Sequence, residues 1–146
     1  MRIVLACLTL LLLTACSTTP CVKDDCGAKR PLLINITSGV DDAHAVTMAL
    51  QLAGHGVDSG RAVTLFFNVR GTAIASTKLD PALAHGDKPI KTLLSDLMAR
   101  GATVLVCPHC MKVMGVTETD LPDGAQVASA KSVFGAVDRG AAVFTY

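Results

Sequence analysis

Cys107-Pro108-His109-Cys110 is the stretch of this sequence whose residue types fit chemistry better than packing. Thiolate is the reactive form of cysteine, and it is favoured near a positive charge or a helix N-terminus. Thr103-Val104-Leu105-Val106, just before it, predicts a short buried strand. Pro108 cannot donate to a strand ladder but suits the first turn of a helix. Cys107 is therefore expected where a strand gives way to a helix, with Cys110 one helical turn further on. The pair could close a disulfide, and His109 between them could tune the thiolate. Cys107 reads as nucleophile or sulfur carrier and Cys110 as the thiol that resolves it. A pair that merely staples the helix start is the structural alternative.

A site of this kind needs a scaffold that brings other loops to it. Leu32 to Ile36 and Val63 to Phe67 are two further strand-like runs. Thr37-Ser38-Gly39 turns the chain after the first, and Asp41 and Asp42 follow in the first turn of a helix, where carboxylates are favoured. Ala45, Val46, Ala49, Leu50 and Ala53 recur at helical spacing until Gly54-His55-Gly56, which is expected to end that helix. Asn68-Val69-Arg70-Gly71 follows the second strand, with a short helical piece over 72–78. Leu79 to Lys88 reads as an excursion without regular structure. Asp87 is the expected cap of the next helix, Pro89 lies in its first turn, and Ile90, Leu93, Leu94, Leu97 and Met98 form its apolar stripe.

After the cysteines, a short helix is expected over 109–114, closed by Gly115. A brief strand over 126–128 follows, then a helix capped by Ser129 with Val133, Phe134 and Val137 on its core side, and a last strand over 141–146. The alternation predicts one α/β domain, three-layered, with a mainly parallel sheet of about five strands and helices on both faces. In such sheets ligands bind outside the carboxyl ends of the strands. If the first three strands are neighbours, the loops 37–41, 68–72 and 107–110 meet. Ser38, Asn68 and Arg70 are then candidate substrate contacts beside Cys107, Cys110 and His109, with Arg70 holding an anionic sulfur species.

Composition narrows the function. Half of the 146 residues are hydrophobic (51%), enough for a packed core, while aromatics make up only 3% and the formal charge is +1. With no basic cluster and few rings to stack on bases, nucleic acid is not an expected partner. Nor does the chemistry imply a cofactor.

The first residues read as an address and not as fold. Met1-Arg2 is a basic start, and Ile3 to Leu13 is apolar but short for a bilayer span. Leu13-Thr14-Ala15-Cys16 resembles a bacterial lipobox, in which the peptidase cuts before the cysteine and the thiol is lipidated. The resemblance implies a signal peptide over 1–15, a lipidated tether over 16–30 starting at Cys16, and a domain over 31–146. With Ser17 rather than aspartate after the cysteine, it implies a lipid anchor on the periplasmic side, in the outer membrane. Loss of Arg2 leaves 12 basic side chains against 12 acidic ones. In an oxidising compartment Cys21 and Cys26, with four residues between them, are a candidate structural disulfide. A metal clip that they share with Cys107 and Cys110 is the sharper alternative.

Taken together, Leu65-Phe66-Phe67-Asn68-Val69-Arg70-Gly71, then Val104-Leu105-Val106-Cys107-Pro108-His109-Cys110, then Gly115 resemble the DsrE/DsrF-like family. The early Thr37-Ser38-Gly39 with Asp42 matches as well, so the resemblance spans Leu32 to Tyr146. It implies a small α/β domain that assembles as a homo-oligomer, a trimer or hexamer, and relays sulfur as a cysteine persulfide. The reactive cysteine of that family ends the equivalent strand eight residues before a glycine, the distance between Cys107 and Gly115. Many members carry a second cysteine at the position of Cys110. Relay members often have arginine just before the glycine, where this chain has Met114. Cys-Pro-His-Cys also occurs in oxidising thioredoxin-like proteins, but there most of the fold follows the pair, and here only 36 residues follow Cys110.

The resulting expectation is a periplasmic, lipid-anchored protein that performs sulfur transfer or thiol redox chemistry with a sulfur- or thiol-carrying protein or small molecule. Two alternatives stand beside it. Cys107, Cys110 and His109 could hold a soft metal such as copper or zinc, or the chain could be an oligomeric scaffold with structural thiols.

Overall fold

The three β-branched and apolar runs form the strands β1 (Leu32–Ile36), β2 (Val63–Phe67) and β3 (Thr103–Val106), with the expected bounds. The structure, a computed structural model, describes residues 29–138 and 140–146. The expected signal peptide, the lipidation site Cys16 and the pair Cys21 and Cys26 lie outside the described residues. Two short strands complete the sheet, β4 (Gln126–Val127) and β5 (Ala142–Thr145). The order is β4-β3-β2-β1-β5 and every pairing is parallel.

Register decides where the loops go. Ile36 stands opposite Phe67, and Phe67 opposite Val106. The three strands therefore end level, and Thr37, Asn68 and Cys107 leave the sheet side by side.

Steps from β1 to β4 all run in one direction, so right-handed crossovers lay α1 (Ala43–Asp58), α2 (Ile90–Ala99) and α3 (Pro108–Met114) on one face. Alternate residues Leu32, Ile34 and Ile36, Val63, Leu65 and Phe67, and Val104 and Val106 point there, and they pack against Val46, Leu50, Leu94, Leu97 and Met111. The return from β4 to β5 runs the other way and carries α4 (Ala130–Val137) across the opposite face. Leu33 and Leu105 are buried on that face, outside the main core. The α/β sheet with helices on both faces is thus as expected. Among the described residues no helix is long and apolar enough to cross a membrane.

Four details differ from the sequence reading. The α1 helix passes through Gly54-His55-Gly56 and stops only at Asp58. A Cβ on Gly56 would stand 2.7 Å from Leu32 Cδ2, so this glycine lets the helix press onto the sheet instead of ending it. Second, α2 has Pro89, not Asp87, at its cap position, and no side chain closes that end. Third, the helical piece after β2 is a 3-10 turn over Val69–Ala73. Fourth, α4 has the expected Ser129 cap, in a reciprocal pair with Ser132, yet no residue of it is buried. Phe134 is 64% exposed. Val133 and Val137 are half-buried, so the stripe is only partly covered.

The excursion over 79–88 has no helix or strand, as expected, but it is anchored. Leu79 is buried, Ala84 bridges to Pro89, and His85 stacks on His44 of α1 with ring centroids 4.2 Å apart.

Candidate functional site

Cys107 extends the β3 ladder by one more bond, its N–H donating to Phe67 O at 2.9 Å. Its extended backbone makes it the cap residue of α3, with Pro108 in the first turn and Gly115 closing the helix in the left-handed region. The first helical bond runs from Met111 N to Cys107 O at 2.9 Å. One turn on, Cys110 faces the loop after β2. Both thiols are free and half-buried.

The β2 loop is drawn against them. Asn68 N donates to Ile36 O at 3.1 Å and Gly71 N to Thr37 O at 3.2 Å, tying this loop to the end of β1. A Cβ on Gly71 would lie 2.2 Å from Ile36 O, so only glycine allows that approach. Between them Val69 has φ +49, a left-handed conformation that a β-branched side chain rarely adopts. In that conformation its N–H donates to Cys110 Sγ at 3.1 Å. Strained backbone of this kind is commonly held at functional sites by its surroundings. Thr72, in the same turn, is wholly buried, and its hydroxyl has no conventional hydrogen-bond partner. It lies three residues on from Val69, in the turn whose N–H meets Cys110 Sγ.

Burial pushes the Cys110 thiol above its usual range, and the adjacent Cys107 adds to the rise. The Val69 N–H and the Thr72 hydroxyl act the other way, because both hydrogen-bond the thiolate more strongly than the thiol. Burial prevails, so the Cys110 thiol stays above its usual range with the Val69 N–H already aimed at its sulfur.

The loops 37–41, 68–72 and 107–110 do meet, since β1, β2 and β3 are neighbours. Their candidate residues are not all turned to the sulfurs. Asn68 Nδ2 donates to Asn35 Oδ1 at 2.7 Å, and Asn35 Nδ2 in turn to Thr145 Oγ1 at 3.3 Å. That chain of amides runs across the strand ends. Arg70 Nε sits 3.2 Å from the Asp41 carboxylate, with both side chains more than half exposed. Its charge is engaged within the rim. Ser38 is buried, and its N–H donates to Tyr146 O at 3.2 Å, an oxygen that also accepts from Thr37 N and Thr37 Oγ1, each at 2.7 Å. His109 lies exposed on the first turn of α3, and no hydrogen bond joins it to either sulfur. Among the described residues no three His, Cys, Asp or Glu side chains converge to hold a metal ion.

Sequence reasoning missed Thr72 and the Val69 N–H. Both lie in a loop marked for the site, but a buried threonine and a valine in left-handed backbone leave no trace in residue type. Beside the charged rim, Val69 and Val113 are exposed apolar side chains near the thiols. Beside α3 a cavity of about 250 Å³ opens between Val40, Ala73, Leu79, Met114 and Val116.

Comparison with known proteins agrees with this fold. The model of the DsrE/DsrF-like family matches residues 31–146. The solved structure of the ychN protein from E. coli is similar at 17% identity and a TM-score of 0.67, covering 81% of this chain and 100% of that one. A protein of unknown function from Methanobacterium thermoautotrophicum, MTH1491, is similar at 15% identity and a TM-score of 0.64, with the same coverage. At these identities the likeness is one of fold. No curated protein matches.

Proposed function

This chain belongs to the DsrE/DsrF-like family, and on that footing we propose that it carries out sulfur transfer or thiol redox chemistry through Cys107 and Cys110. The Cys107 thiolate attacks the outer sulfur of a donor persulfide, and the donor leaves as a thiolate. An acceptor thiolate can then take that outer sulfur, which frees Cys107 again. Alternatively the Cys110 thiolate attacks Cys107 Sγ, hydrosulfide leaves, and a Cys107–Cys110 disulfide remains for an external thiol to reduce. With a mixed disulfide in place of the persulfide, the same attack releases the partner's thiolate.

The observation that carries this reading is the placement of the two sulfurs. Both are free and half-buried at the end of β3, and Cys110 Sγ takes a hydrogen bond from Val69 N–H at 3.1 Å. His109, exposed beside them, tunes the Cys107 thiolate, and Arg70, released from Asp41, meets an anionic sulfur species. The lipobox-like Leu13-Thr14-Ala15-Cys16 supports an anchor on the periplasmic side of the outer membrane. Exposed Phe134, Val143 and Phe144 support association with further copies of the chain. In a sulfane-sulfur transfer or thiol-exchange assay, Cys107→Ser abolishes activity. Full activity of that variant would sink the reading.

A further inference from the structure

Two features of the turn packed against Cys110 have no evident purpose in packing. Thr72 is 0% exposed, and its hydroxyl is buried without a conventional partner, although valine would fill the same space without an unpaired polar atom. Val69 holds a backbone conformation that disfavours its own side chain, φ +49, and the result is an N–H 3.1 Å from Cys110 Sγ. A neutral thiol is a poor acceptor for either donor, whereas a thiolate is a strong one. Cys107, by contrast, has its N–H committed to Phe67 O, and its side chain makes no cap bond to α3.

We propose that Thr72 is a positioning residue which, with the Val69 N–H, receives the Cys110 sulfur as it leaves the Cys107–Cys110 disulfide as a thiolate. The inference rests on the resolving role given to Cys110 above, and it assigns direction to the opening of that disulfide. An incoming thiolate attacks Cys107 Sγ and forms a mixed disulfide with it. The Cys107–Cys110 bond breaks, and its electron pair goes to Cys110 Sγ. Thr72 keeps its proton and only donates a hydrogen bond. A second external thiolate then attacks the external sulfur of the mixed disulfide and releases Cys107 as a thiolate. The two electrons come from the two external thiols, which end as a disulfide. Attack on Cys110 instead would make Cys107 the leaving group, without these donors.

The test compares Thr72→Val, which keeps the shape and loses the hydroxyl, with Thr72→Ser, which keeps the hydroxyl. The full chain is oxidised with diamide and opened with 2-mercaptoethanol, and the site of the mixed disulfide and the rate are read by mass spectrometry. The Val variant should open about five- to tenfold more slowly, the worth of one charge-assisted hydrogen bond to a leaving thiolate. The Ser variant should stay within about twofold of the parent, because the donor is retained. In the reduced protein, the pH midpoint for alkylation of Cys110 by iodoacetamide should rise in Thr72→Val and not in Thr72→Ser. An unmoved midpoint in Thr72→Val, opening at the parent rate, or equal slowing by both variants would overturn the proposal. These readings do not depend on sulfur-transfer activity. If Cys107→Ser kept full transfer activity while Thr72→Val still opened slowly, the proposed function would fall and this inference would stand.

Discussion

On the α1–α2 face of the sheet, Ile34, Ile36, Leu65, Phe67, Val104 and Val106 lose all contact with water. On the α4 face Phe134 remains 64% exposed and Val143 54%. Leu33 and Leu105 are buried on that second face too, so its exposed large apolar side chains lie on α4 and the edge strand β5. Three crossovers stack helices on the first face, and one eight-residue helix crosses the second. The closed face gives the sheet its rigidity, and it fixes the strand ends from which the thiol loops spring. The open face gives surface. The site lies at the edge of the closed face, where Met111 of α3 joins the core and Cys110, one residue before it, stays half-buried. The two free thiols are thus set at the rim of packed backbone while remaining within reach of solvent.

The contrast can be broken most severely at Gly71, where the β2 loop crosses the end of β1. Gly71→Ala sets a carbon 2.2 Å from Ile36 O. It should cost on the order of 4 kcal/mol, or abolish folding, and remove the Val69–Cys110 bond. Denaturant melts and Cys110 alkylation check both effects. Next comes a paired comparison of the faces. Leu65→Ala should cost about 2–5 kcal/mol as a buried deletion. Phe134→Ala should stay within about 0.5 kcal/mol in the monomer, as an exposed substitution does. Equal losses at the two positions in chemical denaturation would mean that the α4 face is as closed as the other.

A smaller effect is expected at the cap of α4. Ser129→Ala removes the reciprocal bonds with Ser132 and should cost about 1 kcal/mol, a normal N-cap loss. The mildest effect is confined to acid. Asp120 accepts from Thr117 N and Thr117 Oγ1 and pairs with Lys78 Nζ at 2.9 Å. The Thr117 N–H, then Lys78 and the Thr117 hydroxyl, hold its carboxyl down to about 2, below the ordinary 3.8. A depressed carboxylate stabilises the fold fully above its unfolded pKa and loses that contribution as the pH falls toward the folded one. Stability should therefore drop between pH 4 and pH 2 in the parent, and less steeply in Asp120→Asn, as followed by thermal melts across that range.

How much of this was legible in the sequence varied with the physics involved. β1, β2 and β3 were legible to the residue because continuous apolar runs mark strands buried on both faces. The meeting of three loops was legible only on the condition that β1, β2 and β3 are neighbours, which the sheet order meets. The end of α1 was misread because Gly54 and Gly56 look like stops, and only the distance to Leu32 shows that Gly56 serves close packing. An amphipathic stripe over Val133, Phe134 and Val137 tells which side of α4 is apolar, but not whether the sheet beneath reaches far enough to cover it. At the site, Cys107 and Cys110 announced themselves by type and spacing. Val69 and Thr72 did not, since a donor supplied by backbone strain and a hydroxyl made special by burial exist only in three dimensions. Arg70 was expected beside an anion, and it is Asp41 on the neighbouring loop that engages it.

The most direct test of the thiol pair is peptide mapping under non-reducing conditions after exposure to a sulfane-sulfur donor or to oxidised glutathione. The account predicts one added sulfur on Cys107, or a Cys107–Cys110 disulfide that external thiol reopens. Recovery of both cysteines as bare thiols, no faster to alkylate than thiols in the unfolded chain, would contradict it.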